Sequence, residues 1–181
     1  MIKLGELADG TRGVALVELW KRINERCFAG PLSPLPVQWV TCMPYGACVG
    51  LTRGRHPTAN GRQRSARIEI MRSKTNQQAA LILLHETVHQ YLMERKMDSS
   101  HISKVWREEL VRLSLSVFGK RVIAPRSLVR KFKKEDGTWS SRRELEEVPK
   151  APKQVILTRL DSAQWPHSIV SPADIPEWLC L

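Results

Sequence analysis

The stretch AALILLHETVHQYL, residues 79–92, does most to narrow what this chain can become. Six apolar residues run unbroken into His85, Glu86 and His89. A helix that is apolar nearly all round belongs in an interior, so this one must carry two imidazoles and a carboxylate inside with it. Burying such groups without partners is costly. Either hydrogen bonds or a shared ligand must satisfy them.

On a helix, residues four apart share a face, so His85 and His89 can bring ring nitrogens to one ion. Glu86 sits beside that face and reaches a water without ligating the metal itself. His-Glu-x-x-His is the arrangement that supplies two ligands and a general base for metal-assisted hydrolysis. The expected cofactor is a single catalytic zinc ion. A catalytic zinc wants a third protein ligand and keeps its fourth position open. The candidates are His101, Glu94, Asp98, Glu108 and Glu109. Glu94 is five residues past His89, about 140° around the helix, and would face away. Asp98 can cap the next helix instead. His101 follows the break MDSS, at the expected first turn of the next helix, and can point back; it is the favoured third ligand.

Periodicity orders the rest. VALVELWKRINERCFAG reads as an amphipathic helix with Leu16, Trp20, Ile23 and Cys27 as its stripe. VQWVTC, ACVGLTRG and ARIEIMR read as three strands, the last alternating with Ile68 and Ile70 on one face. Asn76 is the expected cap of the histidine-bearing helix. HISKVWREELVRLSLSVFG forms a further helix with Gly119 as its stop. This order predicts an α+β fold: an N-terminal helix, a small three-stranded antiparallel sheet, and two helices covering one of its faces. Residues 1–119 form the expected core domain. Residues 120–181 form a basic extension packing partly on it, with a turn at Asp136-Gly137 between LVRKFKK and TWSS, and a short strand in QVILTRL.

No apolar run reaches the length of a membrane span, and MIKLGELADG lacks the features of a secretory signal, which predicts an intracellular protein. The four cysteines include no CxxC pair, and reduced thiols are expected. Lys and Arg number 29 against 18 acidic residues, a net charge of +11. The excess is clustered: residues 50–74 hold seven basic residues and one acid, and residues 120–134 hold seven more and none. Such clusters suit a polyanion. Arg53, Arg55, Arg62, Arg64 and Arg67, with Arg130, Lys131, Lys133 and Lys134, are the candidate nucleic-acid contacts, and Trp139 offers a stacking surface beside the second group. A solvated basic face is the rival explanation.

From Val14 to Gly119 the sequence resembles the SprT/Spartan-like zinc metalloproteases. The likeness lies in NERCFAGPLSPLPVQW, in the strand ARIEIMR ahead of LLHETVHQYL, and in a third histidine 11 residues on, followed by Trp106 and WREELVRL. The resemblance implies a zincin-like fold, with His85, His89 and His101 on zinc and Glu86 as general base. It also implies proteolysis of proteins bound or crosslinked to DNA, without sequence-specific reading. The chain departs from that pattern in two places. Ser100 and Ile102 stand where the family commonly has glycine, and no cysteine pair can build a C-terminal zinc ribbon. Two other functions fit the same residues: a DNA-binding module with structural zinc, and a narrow regulatory protease that cuts one repressor-like partner.

Overall fold

A computed structural model describes residues 3–44, 48–54, 56–57, 63–101, 103–123, 127–145, 155–157, 165–166 and 170–181, of which 3–9, 56–57, 63–64, 121–123, 127–132, 141–145 and 155–157 are described by backbone alone. The chain begins with α1, Lys3–Phe28, broken at Gly10, whose φ of 56° and ψ of −137° leave the helical region. The second part carries the expected stripe: Leu16, Trp20, Ile23 and Cys27 are all buried. Ala29 and Gly30 then take positive φ and turn the chain into the proline-rich connector.

The strands are β1 Val37–Val40, β2 Gly50–Arg53, β3 His56–Pro57, β4 Gln63–Arg64 and β5 Arg67–Met71. The three expected strands are β1, β2 and β5, and they form one sheet in the order β1-β5-β2. The sheet is mixed, not antiparallel as the sequence suggests: β2 pairs antiparallel with β5, but β1 runs parallel to it. Alternation reports which face of a strand is buried and is silent on direction. Here the last strand inserts between the first two and becomes the central one, where Ile68, Glu69 and Ile70 are all buried. β3 and β4 form a separate two-stranded ladder.

Register decides what each face of the sheet touches. Gly50 pairs with Ile70, Thr52 with Ile68, Val37 with Ile68 and Trp39 with Ile70, so these positions share the face that meets the helices. On the other face lie Arg53, Arg67, Gln38 and Glu69. Glu69 accepts from Arg53 Nε at 2.9 Å and Arg67 Nε at 2.7 Å. Burial alone would raise the Glu69 pKa, but the two guanidinium groups outweigh it and the pKa lies below the usual carboxylate value.

Helix α2 spans Asn76–Glu94, and its cap is Thr75, one residue before the expected Asn76. Thr75 Oγ1 accepts from Gln78 N while Gln78 Oε1 accepts from Thr75 N, each at 3.2 Å, which is a capping box. Every residue from Ala79 to Val88 is buried, and its leucines and isoleucine, at about 1.5–3 kcal/mol each, fix the helix against α1 and the sheet. Helix α3, Lys104–Phe118, starts three residues later than HIS suggests, capped by Ser103 Oγ, and ends at Gly119 in the left-handed conformation. Beyond it are β6 Arg121–Ile123, β7 Ser127–Lys133, β8 Trp139–Leu145, β9 Val155–Leu157 and two short 3-10 turns, Pro172–Asp174 and Glu177–Leu179. β7 and β8 form the expected hairpin around Gly137, and β9 falls in QVILTRL, parallel to β6. Among the described residues no helix is long and apolar enough to cross a membrane, and Cys27, Cys42, Cys48 and Cys180 are free thiols.

Candidate metal centre

The three histidines singled out by spacing converge. His85 Nε2 lies 3.0 Å from His101 Nε2 and 3.2 Å from His89 Nε2, and His89 and His101 are 3.0 Å apart at the same atoms. Helix geometry brings the first two together. A tight turn delivers the third. After α2 the chain reverses through Lys96, at φ 55°, and Asp98 Oδ1 accepts from Ser100 N at 2.9 Å. Ser103 Oγ donates to the Asp98 carbonyl at 2.8 Å and accepts from Trp106 N at 3.1 Å. His101 therefore stands in the turn before α3, not in its first helical turn. Ser100 does not have positive φ, so that position needs no glycine; Ile102 lies outside the described residues.

The other candidate ligands are engaged elsewhere. Glu94 accepts from Ser33 N and from Gln90 Nε2. Glu109 is bound by Arg112, and Glu108 is exposed and paired with Lys104. Asp98 accepts from Ser100 N within the turn and does not cap the next helix as expected, a role taken by Ser103.

Proton placement tests whether these atoms suit a metal. The other ring nitrogen of His85, Nδ1, lies 2.5 Å from the carbonyl oxygen of Trp165. A carbonyl only accepts, so Nδ1 carries the proton and Nε2 presents a lone pair. The His89 ring is also hydrogen-bonded to the Ser99 backbone. Burial, then the neighbouring His101, holds the His89 pKa down at about 3, so its ring is neutral near pH 7. With both rings neutral, two lone pairs face each other at 3.2 Å, an arrangement that suits a shared cation. Three nitrogens bound tetrahedrally to one zinc at about 2.0–2.1 Å stand about 3.3–3.4 Å apart, within a few tenths of what is seen. The group can hold a metal ion. Trp106, wholly buried, forms the apolar floor, stacked on His89 with ring centroids 4.3 Å apart.

Glu86 is 5% exposed and lines the same cleft as the three histidines, a cavity of about 480 Å³. Thr52 Oγ1 lies 2.8 Å from its Oε2 and 2.7 Å from its backbone oxygen, and the Thr52 backbone also bonds the carboxylate. Burial pushes the Glu86 pKa up to about 7 against those bonds. A buried carboxyl with that pKa can take and return protons near neutrality. Sequence reasoning missed Thr52 and also Gly50, at which a Cβ would meet Ile82 Cγ2 at 2.4 Å and Glu86 Oε1 at 2.7 Å. Only a glycine lets β2 lie this close to α2. Nothing local in ACVGLTRG marks either residue, because their partners are more than thirty positions away.

The basic residues divide. Arg53 and Arg67 are half-buried in their ion pairs with Glu69. Arg55 and Arg62 lie outside the described residues, and Arg64, Arg130 and Lys131 are described by backbone alone. Lys133 and Lys134 are exposed at the tip of the β7–β8 hairpin, where Trp139, opposite Lys133 in the ladder, is 70% exposed. Comparison with protein-family models, with curated proteins and with solved structures finds no match for this chain.

Proposed function

We propose that the protein is a zinc-dependent endopeptidase of the SprT-like, zincin-like kind, acting on proteins associated with DNA. The observation that carries this reading is one cleft in which three imidazole Nε2 atoms converge beside a buried carboxylate of raised pKa. His85, His89 and His101 would hold the zinc ion, which would supply a Lewis acid to polarise a scissile carbonyl and acidify a water. Glu86 accepts the proton of the attacking water and returns it to the leaving amine, while Thr52 holds its carboxylate in place. β2 is an edge strand and its residues Gly50, Leu51 and Thr52 line the cleft, so an extended substrate can add to it through backbone hydrogen bonds.

A structural zinc site is closed, commonly by cysteine, and has no use for a general base. Here the three-histidine group includes no cysteine and lines an open cleft with Glu86. The nucleic-acid part of the proposal rests on the clustered charge and on the β7–β8 tip, where an exposed indole stands with two lysines. The test is to measure zinc content, then cleavage of a basic protein and of the enzyme itself, with and without single- and double-stranded DNA. DNA-stimulated, chelator-sensitive cutting is expected. Chelator-sensitive cutting indifferent to DNA selects a narrow regulatory protease, and salt-sensitive DNA binding without any cutting selects the binding module.

A further inference from the structure

His85 is held from far along the chain. The carbonyl that fixes its Nδ1 proton belongs to Trp165, 80 residues away and well beyond the α3 helix that closes the expected core domain. Trp165 is wholly buried, with its ring 6.4 Å from those of both His85 and Phe118. The chain after it is tied down at several points. Lys120 Nζ pairs with Asp174 at 2.5 Å, Arg22 Nη2 donates to the Cys180 carbonyl at 3.1 Å, and the Arg26 guanidinium lies 5.1 Å from the Trp178 ring centre. Leu179 is wholly buried in the same core cluster as α1.

We infer that this C-terminal strap is part of the metal centre, with Trp165 as the positioning residue that sets the tautomer and orientation of His85. The side chain of Trp165 anchors the strap and its carbonyl orients the ligand, so docking of the strap and metal affinity are coupled. Coupling of this kind is reciprocal: the docked strap presents the Nε2 lone pair, and metal bound to that lone pair holds the strap. The inference rests on the three histidines holding a metal and is independent of whether the protein cleaves anything.

The experiment uses the full chain, as wild type, Trp165→Ala and Trp165→Phe. Zinc affinity is measured by competition with a chromogenic chelator. Trp165→Ala keeps the carbonyl but removes the buried indole that anchors it. Loss of an orienting partner typically costs about 10–100-fold in metal affinity, so this variant, with its carbonyl no longer held on His85, is expected to bind zinc at least about 10-fold more weakly. Trp165→Phe keeps a buried ring to anchor that carbonyl, and is expected to recover most of that loss. Zinc should also slow amide exchange across residues 170–181 in the wild type. A folded Trp165→Ala with wild-type zinc affinity overturns the inference. If that variant does not fold, the metal-free wild type decides by long-range proton–nitrogen NMR. A His85 proton on Nδ1, protected from exchange and shifted in Trp165→Phe, supports the strap; a proton on Nε2 overturns it. Failure of the wild type to bind zinc would instead sink the metal reading itself, while the NMR result would stand apart from it.

Discussion

Replacing Gly50 by alanine should damage the site more than the fold. The added Cβ would stand 2.4 Å from Ile82 Cγ2, 2.7 Å from Glu86 Oε1 and 3.0 Å from Glu86 Cγ. Ile82 is β-branched, buried and in mid-helix, so its methyl group cannot swing aside without leaving its preferred rotamer. The Glu86 carboxylate is the freer of the two and is expected to be displaced, losing its bonds to Thr52. Overpacking of this kind costs about 1–3 kcal/mol, which for a chain of this size lowers Tm by roughly 2–12 °C. A displacement of about 1 Å in a catalytic group can cost about 100-fold in rate. The three atoms nearest the added Cβ belong to Ile82 and Glu86 and not to a histidine, so zinc content should stay at the wild-type level. The assays are thermal unfolding, zinc stoichiometry and kcat/KM on one protein substrate. A Gly50→Ala variant with wild-type Tm and wild-type kcat/KM would refute the close approach of β2 to α2.

Three further outcomes follow from the same contacts. In the metal-free chain Glu86→Gln should raise stability at pH 8 and not below the ordinary carboxylate pKa. A carboxyl raised to about 7 by burial destabilises the fold once pH exceeds its unfolded pKa, by about 3 kcal/mol when fully ionised; urea unfolding at several pH values checks this. Glu69 has the opposite sign, since its pKa is depressed by Arg53 and Arg67. Its contribution is present at neutral pH and lost as pH falls through the folded value, so Glu69→Gln should be destabilised at pH 7 and show a flatter acid limb in the same experiment. Trp139→Ala combined with Lys133→Ala and Lys134→Ala should weaken single-stranded DNA binding and reduce its salt slope, read by fluorescence anisotropy; unchanged affinity would remove the hairpin tip as a nucleic-acid contact.

The histidine trio was legible because two of its members obey helix spacing and the third follows a break rich in turn-forming residues. The break itself was read less well. Asp98 and Ser103 lock the turn, so His101 precedes α3 instead of opening it. A sharper signal was present at the other end of α2, where Thr75 and Gln78 stand at capping-box spacing and outrank Asn76. Strand direction left no trace in VQWVTC, since burial alternates identically in parallel and antiparallel pairs. Thr52, Gly50 and Trp165 act through contacts 32 to 80 residues apart, and no window of local sequence contains both partners.

The central claim, that Glu86 is the base of a zinc-dependent cleavage, is tested most directly by zinc-loaded wild type and Glu86→Gln assayed side by side on a DNA-bound protein substrate. Both should hold one zinc ion, removed by a chelator, and only the wild type should cut. Cleavage that survives Glu86→Gln, or a wild type that binds no zinc, would contradict the account.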